Sequence, residues 1–168
     1  MRDEFFWMYQ QYKYSYYYYQ SYGIRSGRAD TVITIFLLLS SIGVIGSWWI
    51  WQQLPYLWGG LLGVAQVLSA IQSFLPFNKR KASSQYICSD LVFLINEIEK
   101  DWHLIYIGQV SEQKIALLIQ KHQDSYTKIE QKYSTATLFP PSKKHKKWAS
   151  QKLKEFMEVT YPIEQEVS

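Results

Sequence analysis

Residues 31–78, TVITIFLLLSSIGVIGSWWIWQQLPYLWGGLLGVAQVLSAIQSFLPFN, contain no Asp, Glu, Lys or Arg. All 18 basic and all 14 acidic side chains of the 168-residue chain lie outside this stretch. Forty-eight uncharged residues are about twice the roughly 20 that an α-helix needs to cross a bilayer. The segregation of charge therefore predicts two membrane-spanning helices, although the mean hydropathy of the whole chain is only −0.21.

The uncharged segment, as we call residues 31–78, divides at a turn over residues 52–56 into predicted spans 31–51 and 57–77. Lysine and arginine accumulate on the cytoplasmic side of membrane proteins. We therefore expect an all-α membrane protein with a two-transmembrane helical hairpin, both termini in the cytoplasm, and flanking basic side chains near lipid headgroups. These side chains are Arg25, Arg28, Lys79, Arg80 and Lys81.

Residues 1–30 form an aromatic-rich arm, in which eleven of the first 28 side chains are Phe, Trp or Tyr. Their spacing fits one face of a helix and, over residues 12–18, also the alternation of a strand. We favour a helix because a lone strand has no partner in this chain. Two locations stay open. Tyrosine-rich helices suit the boundary between membrane and water, and the same rings could instead pack against the C-terminal helices.

Residues 79–168 are predicted to form a cytosolic helical bundle together with the arm. Apolar side chains recur every three or four residues over 82–107 and again after Ser111. A proline-marked break at 134–142 precedes a last helix from about residue 143 to 161. The predicted core stripes are Ile87, Leu91, Leu94, Ile98, Trp102 and Ile105; Ile115, Ile119, His122, Tyr126, Ile129 and Tyr133; and Ala149, Leu153, Phe156 and Thr160.

Small and polar side chains gather on one face of the second predicted span and, over a shorter length, of the first. Small residues let helices approach closely, and amides in hydrocarbon need hydrogen-bond partners. The face either packs against another helix, in the hairpin or in an oligomer, or borders a water-filled path in an assembled pore. The candidate residues are Ser40, Gly43, Ser47, Gly59, Gly63, Gln66, Ser69 and Ser73.

The last predicted helix opens on a lysine run, which comprises Lys143, Lys144, Lys146 and Lys147. Cations oppose the dipole at a helix N-terminus, so helix stability does not explain the run. Three interpretations stay open: a solvated helix start, contact with anionic lipid headgroups, or a site for a phosphate ligand, a nucleic acid or an acidic partner. Trp148 is the only aromatic residue beside the run, so direct nucleic-acid binding is not expected.

The layout resembles the SLATT family of bacterial two-transmembrane effectors, which are associated with nucleotide second messengers and SLOG-type sensors. The resemblance lies in the arm that ends at Arg25 to Arg28, the hairpin with its tiny turn and the basic exit NKRK at 78–81. It extends over the long helical stretches SDLVFLINEIEKDWHLIYIG and SEQKIALLIQKHQDSYTKIEQKY.

The resemblance implies an inner-membrane effector of anti-phage immunity, which oligomerises and permeabilises the membrane when a partner signals infection. The implied partners are further copies of the chain, membrane lipids and a co-encoded nucleotidyltransferase, SLOG-type sensor or reverse transcriptase. The alternative function is a non-conducting membrane anchor or scaffold that recruits a soluble defence enzyme.

Enzymatic motifs are missing from the sequence. It has no glycine-rich phosphate loop, no Gly-x-Ser-x-Gly and no His-Glu-x-x-His. Glu99 and His103 lie four residues apart and could hydrogen-bond, but two such residues are fewer ligands than a catalytic metal needs. Cys88 and His122 fit small or packed core positions. We expect no enzyme, and no catalytic, cofactor or metal site.

Overall fold

The computed structural model describes residues 1–46, 55–72, 77–133 and 138–161. Within these ranges every regular element is an α-helix. The helices are α1 (Arg2–Gly46), α2 (Pro55–Gln72), α3 (Phe77–Tyr106), α4 (Glu112–Tyr133) and α5 (Lys143–Thr160).

The prediction of a membrane-spanning hairpin is wrong: among the described residues, no helix is long and apolar enough to cross a membrane. The first predicted span is the end of the 45-residue helix α1, described to residue 46, and the second is described over 57–72. Helix α2 has 18 residues and extends about 27 Å, less than the roughly 30 Å hydrocarbon core. Residues 47–54 and 73–76, which include parts of both predicted spans, lie outside the described residues.

Two further expectations depended on that hairpin and are corrected with it. They are the multi-pass inner-membrane location and the pore-forming role. The flanking basic residues likewise need another explanation than membrane orientation.

The aromatic arm is the first half of α1 and packs against the C-terminal helices, which is the second of the two predicted locations. Phe5 lies parallel to Trp102 of α3, with ring centroids 6.1 Å apart, and Tyr12 stacks on Tyr126 of α4 at 4.4 Å. Aromatic side chains bury about 150–250 Å² each. The arm therefore supplies much of the core, through Phe5, Met8, Tyr9, Tyr12, Tyr19 and Tyr22, all of which are buried.

The three C-terminal helices form where the apolar spacing predicts them, although α3 begins five residues earlier than expected. Buried members of the predicted stripes are Ile87, Leu91, Leu94, Ile98, Ile105, Ile115, Ile119, His122 and Ala149. The other predicted members are half-buried, except Thr160, which is exposed. His122 is a packed histidine, with Nε2 2.8 Å from Oδ2 of Asp101.

A polar junction joins α1, α3 and α5. The hydroxyl of Tyr9 donates a hydrogen bond of 2.8 Å to Glu99 Oε1, and the Lys13 ammonium lies 2.9 Å from the same oxygen. The ammonium also lies 4.2 Å from the ring centroid of Phe156, a cation–π contact. Glu99 is thus tied to the arm across the bundle.

Candidate anion-binding pocket

The start of α5 is fixed against α1 by the segment that precedes it. Phe139 is buried and meets the rings of Tyr19 and Tyr22 edge-on at 5.2 and 5.4 Å. The carbonyl of Pro140 accepts hydrogen bonds from the hydroxyls of Tyr18 and Tyr22. The tyrosines of the arm therefore determine where the lysine run lies.

His145 completes this contact from the first turn of α5. Its Nδ1 lies 2.7 Å from Ser21 Oγ, and its ring stacks on Tyr22 with centroids 3.7 Å apart. His145 is only 8% exposed. Burial, and then the positive charge of Arg25, lower the pKa of His145 from its usual 6.5, so the ring is neutral at physiological pH.

A cavity of about 260 Å³, which we call the basic pocket, opens beside this contact. Three cations line it and no carboxylate does. Arg25 and Arg28 come from α1, and Lys144 comes from the first turn of α5. The remaining lining residues are Ser21, Ile24, His145 and Trp148.

The cations of the basic pocket have no ionic partner within the described part of the chain. Ion pairs form elsewhere, for example between Lys132 and Asp90 at 2.8 Å, but none involves Arg25, Arg28 or Lys144. Arg25, Arg28 and Lys144 are exposed, and like charges that line one cavity attract an anion to it. The pocket therefore has the charge and hydrogen-bond donors to hold a phosphate or carboxylate group.

The N-terminus of α5 adds to this preference for an anion. Ser142 occupies the cap position but makes no side-chain capping hydrogen bond. Backbone N–H groups and the positive end of the helix dipole favour negative charge at such a terminus. An anion bound here would offset both the dipole and the lysine run.

Only one lysine of the predicted patch belongs to the pocket. All four lysines are exposed; Lys144 lines the pocket, and Lys143, Lys146 and Lys147 line no part of it. The sequence separates Arg25 and Arg28 from Lys144 by more than a hundred residues and assigns them different roles. Their meeting depends on the fold of α1 against α5, which no local spacing predicts.

The basic residues after the uncharged segment lie at the start of α3, away from the pocket lining. Lys79 is exposed, and Lys81 is half-buried beside Gly27, with its Cδ and Cε 3.8 Å from where a Cβ on that glycine would lie. Arg80 is half-buried, and its Nε is buried without a hydrogen-bond partner among the described residues. The contact of these residues with lipid headgroups stays a prediction.

Only some residues of the predicted small-residue face lie close together in the structure. Ser40 on α1 lines a hollow of about 470 Å³ together with Gln66 and Ser69 on α2. A Cβ built on Gly59 or Gly63 meets no described atom within 4 Å, so these glycines do not serve a close helix contact in the described part. Gly43 lies in α1. Ser47 and Ser73 lie outside the described residues.

No protein-family model, curated protein or solved structure matches this chain. The SLATT resemblance and the partners it implies therefore stay predictions. Within the described residues, no group of three or more His, Cys, Asp or Glu side chains could hold a metal ion.

Proposed function

We propose that the chain is a helical ligand-binding module that recognises a small phosphate-bearing ligand in the basic pocket. The observation that carries this proposal is the convergence of Arg25, Arg28 and Lys144, without a carboxylate, on one cavity. A guanidinium can bind phosphate oxygens through two parallel N–H donors, and an ammonium adds a point charge.

The size of the cavity limits the ligand. Small-molecule pockets usually have volumes of about 300–1,000 Å³, and the basic pocket is slightly below this range at about 260 Å³. It suits a single phosphate with a few attached atoms. Trp148 lies at the same cavity and offers a flat apolar surface to the group that carries the phosphate.

In the setting that the SLATT resemblance implies, this module would be the receiving part of an anti-phage effector. Its ligand would come from a co-encoded partner, and binding would tighten the contact between α1 and α5. Membrane permeabilisation is not part of this proposal.

Equilibrium binding of inorganic pyrophosphate and phenyl phosphate, measured by isothermal titration calorimetry, tests the site. A hydrogen bond to a charged group contributes about 1.5–3 kcal/mol, so Arg28→Gln and Lys144→Gln should each weaken binding about tenfold or more. Lys147→Gln is the matched control, because it removes the same charge from the same lysine run outside the pocket. Equal effects of Lys144→Gln and Lys147→Gln would show that only net charge matters and would refute the site.

A second candidate function is a scaffold that assembles with further copies of itself. It is supported by exposed apolar side chains in the uncharged segment, where no charge would repel a second copy of the same surface. Light scattering after size-exclusion chromatography should then show oligomers that Leu38→Glu dissociates. A monomer at all concentrations would exclude this candidate. The exposed residues are Val32, Ile35, Leu38, Leu39, Val64, Val67 and Ile71.

A further inference from the structure

A second cavity, which we call the apolar groove, lies between α1 and α3 and has a volume of about 620 Å³. Its lining is mostly apolar and includes Ile24, Val92 and Phe93, which are exposed by 42%, 38% and 70%. Gly23 and Gly27 form part of the α1 wall. A groove of this volume has the size of an ordinary small-molecule site.

The apolar groove and the basic pocket share a wall. Ile24 lines both cavities, with Gly23 and Gly27 on the side of the groove and Arg25 and Arg28 on the side of the pocket. Residues three or four apart lie on the same face of a helix, so the two cavities occupy neighbouring faces of one stretch of α1. A helix with its side chains is only about 10–12 Å across.

We propose that the two cavities form one composite site for an amphiphilic anion, a phosphate monoester of an alkyl or acyl chain. Its phosphate binds Arg25, Arg28 and Lys144, and its chain passes over Ile24 into the apolar groove. This inference rests on the proposed function and names the class of ligand.

The charge and polarity of the two cavities match the two ends of such a molecule. The basic pocket supplies cations without carboxylates, and the groove supplies apolar surface that water otherwise covers at Ile24 and Phe93. Transfer of apolar surface out of water is favourable in proportion to its area. The single cation of the groove lining, Lys81, adds attraction for the same negative ligand.

A chain-length series tests the composite site. The probes are ethyl, hexyl and dodecyl phosphate, each kept below its critical micelle concentration, with calorimetry as the readout. Burial of methylene groups should tighten binding by up to about fourfold for each one that enters the groove. Gly27→Leu should fill the groove, since a Cβ at this position meets only the flexible Lys81 side chain, at 3.8 Å; circular dichroism checks that the variant folds.

The expected result is that affinity increases with chain length in the wild-type protein and is flat in Gly27→Leu, while ethyl phosphate binds both equally. Gly63→Leu, which places the same side chain in open space on α2, should leave the series unchanged. Phe93→Ala should reduce the gain with chain length without affecting ethyl phosphate.

Four results would overturn the inference. If ethyl and dodecyl phosphate bind equally well, the groove takes no chain, although the phosphate site of the proposed function stands. If the chain-length gain persists in both groove variants, the chain binds elsewhere. If the protein does not bind monomeric dodecyl phosphate but sediments with vesicles containing phosphatidic acid, the ligand is a lipid surface. If none of the phosphate probes binds, the proposed function fails as well.

Discussion

Replacement of Gly23 by alanine would test the close contact between α1 and α3. A Cβ at this position would lie 2.5 Å from Oγ and 3.2 Å from Cβ of Ser84. Ser84 is only 2% exposed, and its hydroxyl donates a hydrogen bond of 2.7 Å to the carbonyl of Tyr19. The new methyl group must therefore displace the hydroxyl from its partner or move one helix.

Two effects of opposite sign decide the result. Alanine is favoured over glycine in a helix by about 1 kcal/mol. Against this, overpacking costs about 1–3 kcal/mol, and a buried hydroxyl left without its partner costs about 1–3 kcal/mol more. We expect Gly23→Ala to lower the free energy of unfolding by about 1–5 kcal/mol.

Urea denaturation followed by circular dichroism measures this change. The double variant Gly23→Ala, Ser84→Ala should recover most of the loss, because it removes the hydroxyl that clashes. Gly63→Ala is the control, since its Cβ lies in open space and should stabilise α2 by about 0.5–1 kcal/mol. A Gly23→Ala protein as stable as Gly63→Ala would refute the packing of α1 on α3 at this point.

Three other measurements address the polar and titratable groups. Burial and the nearby Arg25 guanidinium lower the pKa of His145, so the unfolded chain binds a proton more readily than the folded one. Stability should therefore decrease as the pH falls below about 6.5. The urea midpoints at pH 7.5 and 5.5 should differ less in His145→Gln than in the wild-type protein. Tyr9→Phe removes the 2.8 Å hydrogen bond to Glu99 and should cost about 1 kcal/mol, whereas Tyr14→Phe should cost less. Burial raises the pKa of Cys88 to about 11. Alkylation of this thiol at pH 7.5 should therefore be on the order of 100-fold slower than in the urea-unfolded chain. Equal rates would contradict the packing of Cys88 between α1 and α3.

The C-terminal helices can be predicted from the sequence because their core residues recur at the three- and four-residue intervals of a helix. Ile87, Leu91 and Ile98 recur at helical intervals, and all three are fully buried against α1. Helix α5 also begins at the predicted residue, Lys143, after the proline-marked break. Periodicity of this kind depends only on near neighbours in the chain.

The prediction of a membrane hairpin rests on the absence of charge, which is a weak signal. Missing charges exclude few structures by themselves, and α1 continues from the charged arm into the uncharged segment without a break through residue 46. The basic pocket could not be predicted, because Arg28 and Lys144 line one cavity only through the packing of α1 against α5 and the segment before it. A contact between distant residues leaves no periodic signal.

The most direct test of the central claim is the position of a bound oxyanion. Crystals of the protein soaked in tungstate, a heavy tetrahedral mimic of phosphate, would reveal it through anomalous scattering. We expect one peak within hydrogen-bond distance of Arg25, Arg28 and Lys144, and its loss in Arg28→Gln crystals. Tungstate that binds only at other lysines, or a peak that persists in Arg28→Gln, would contradict the account.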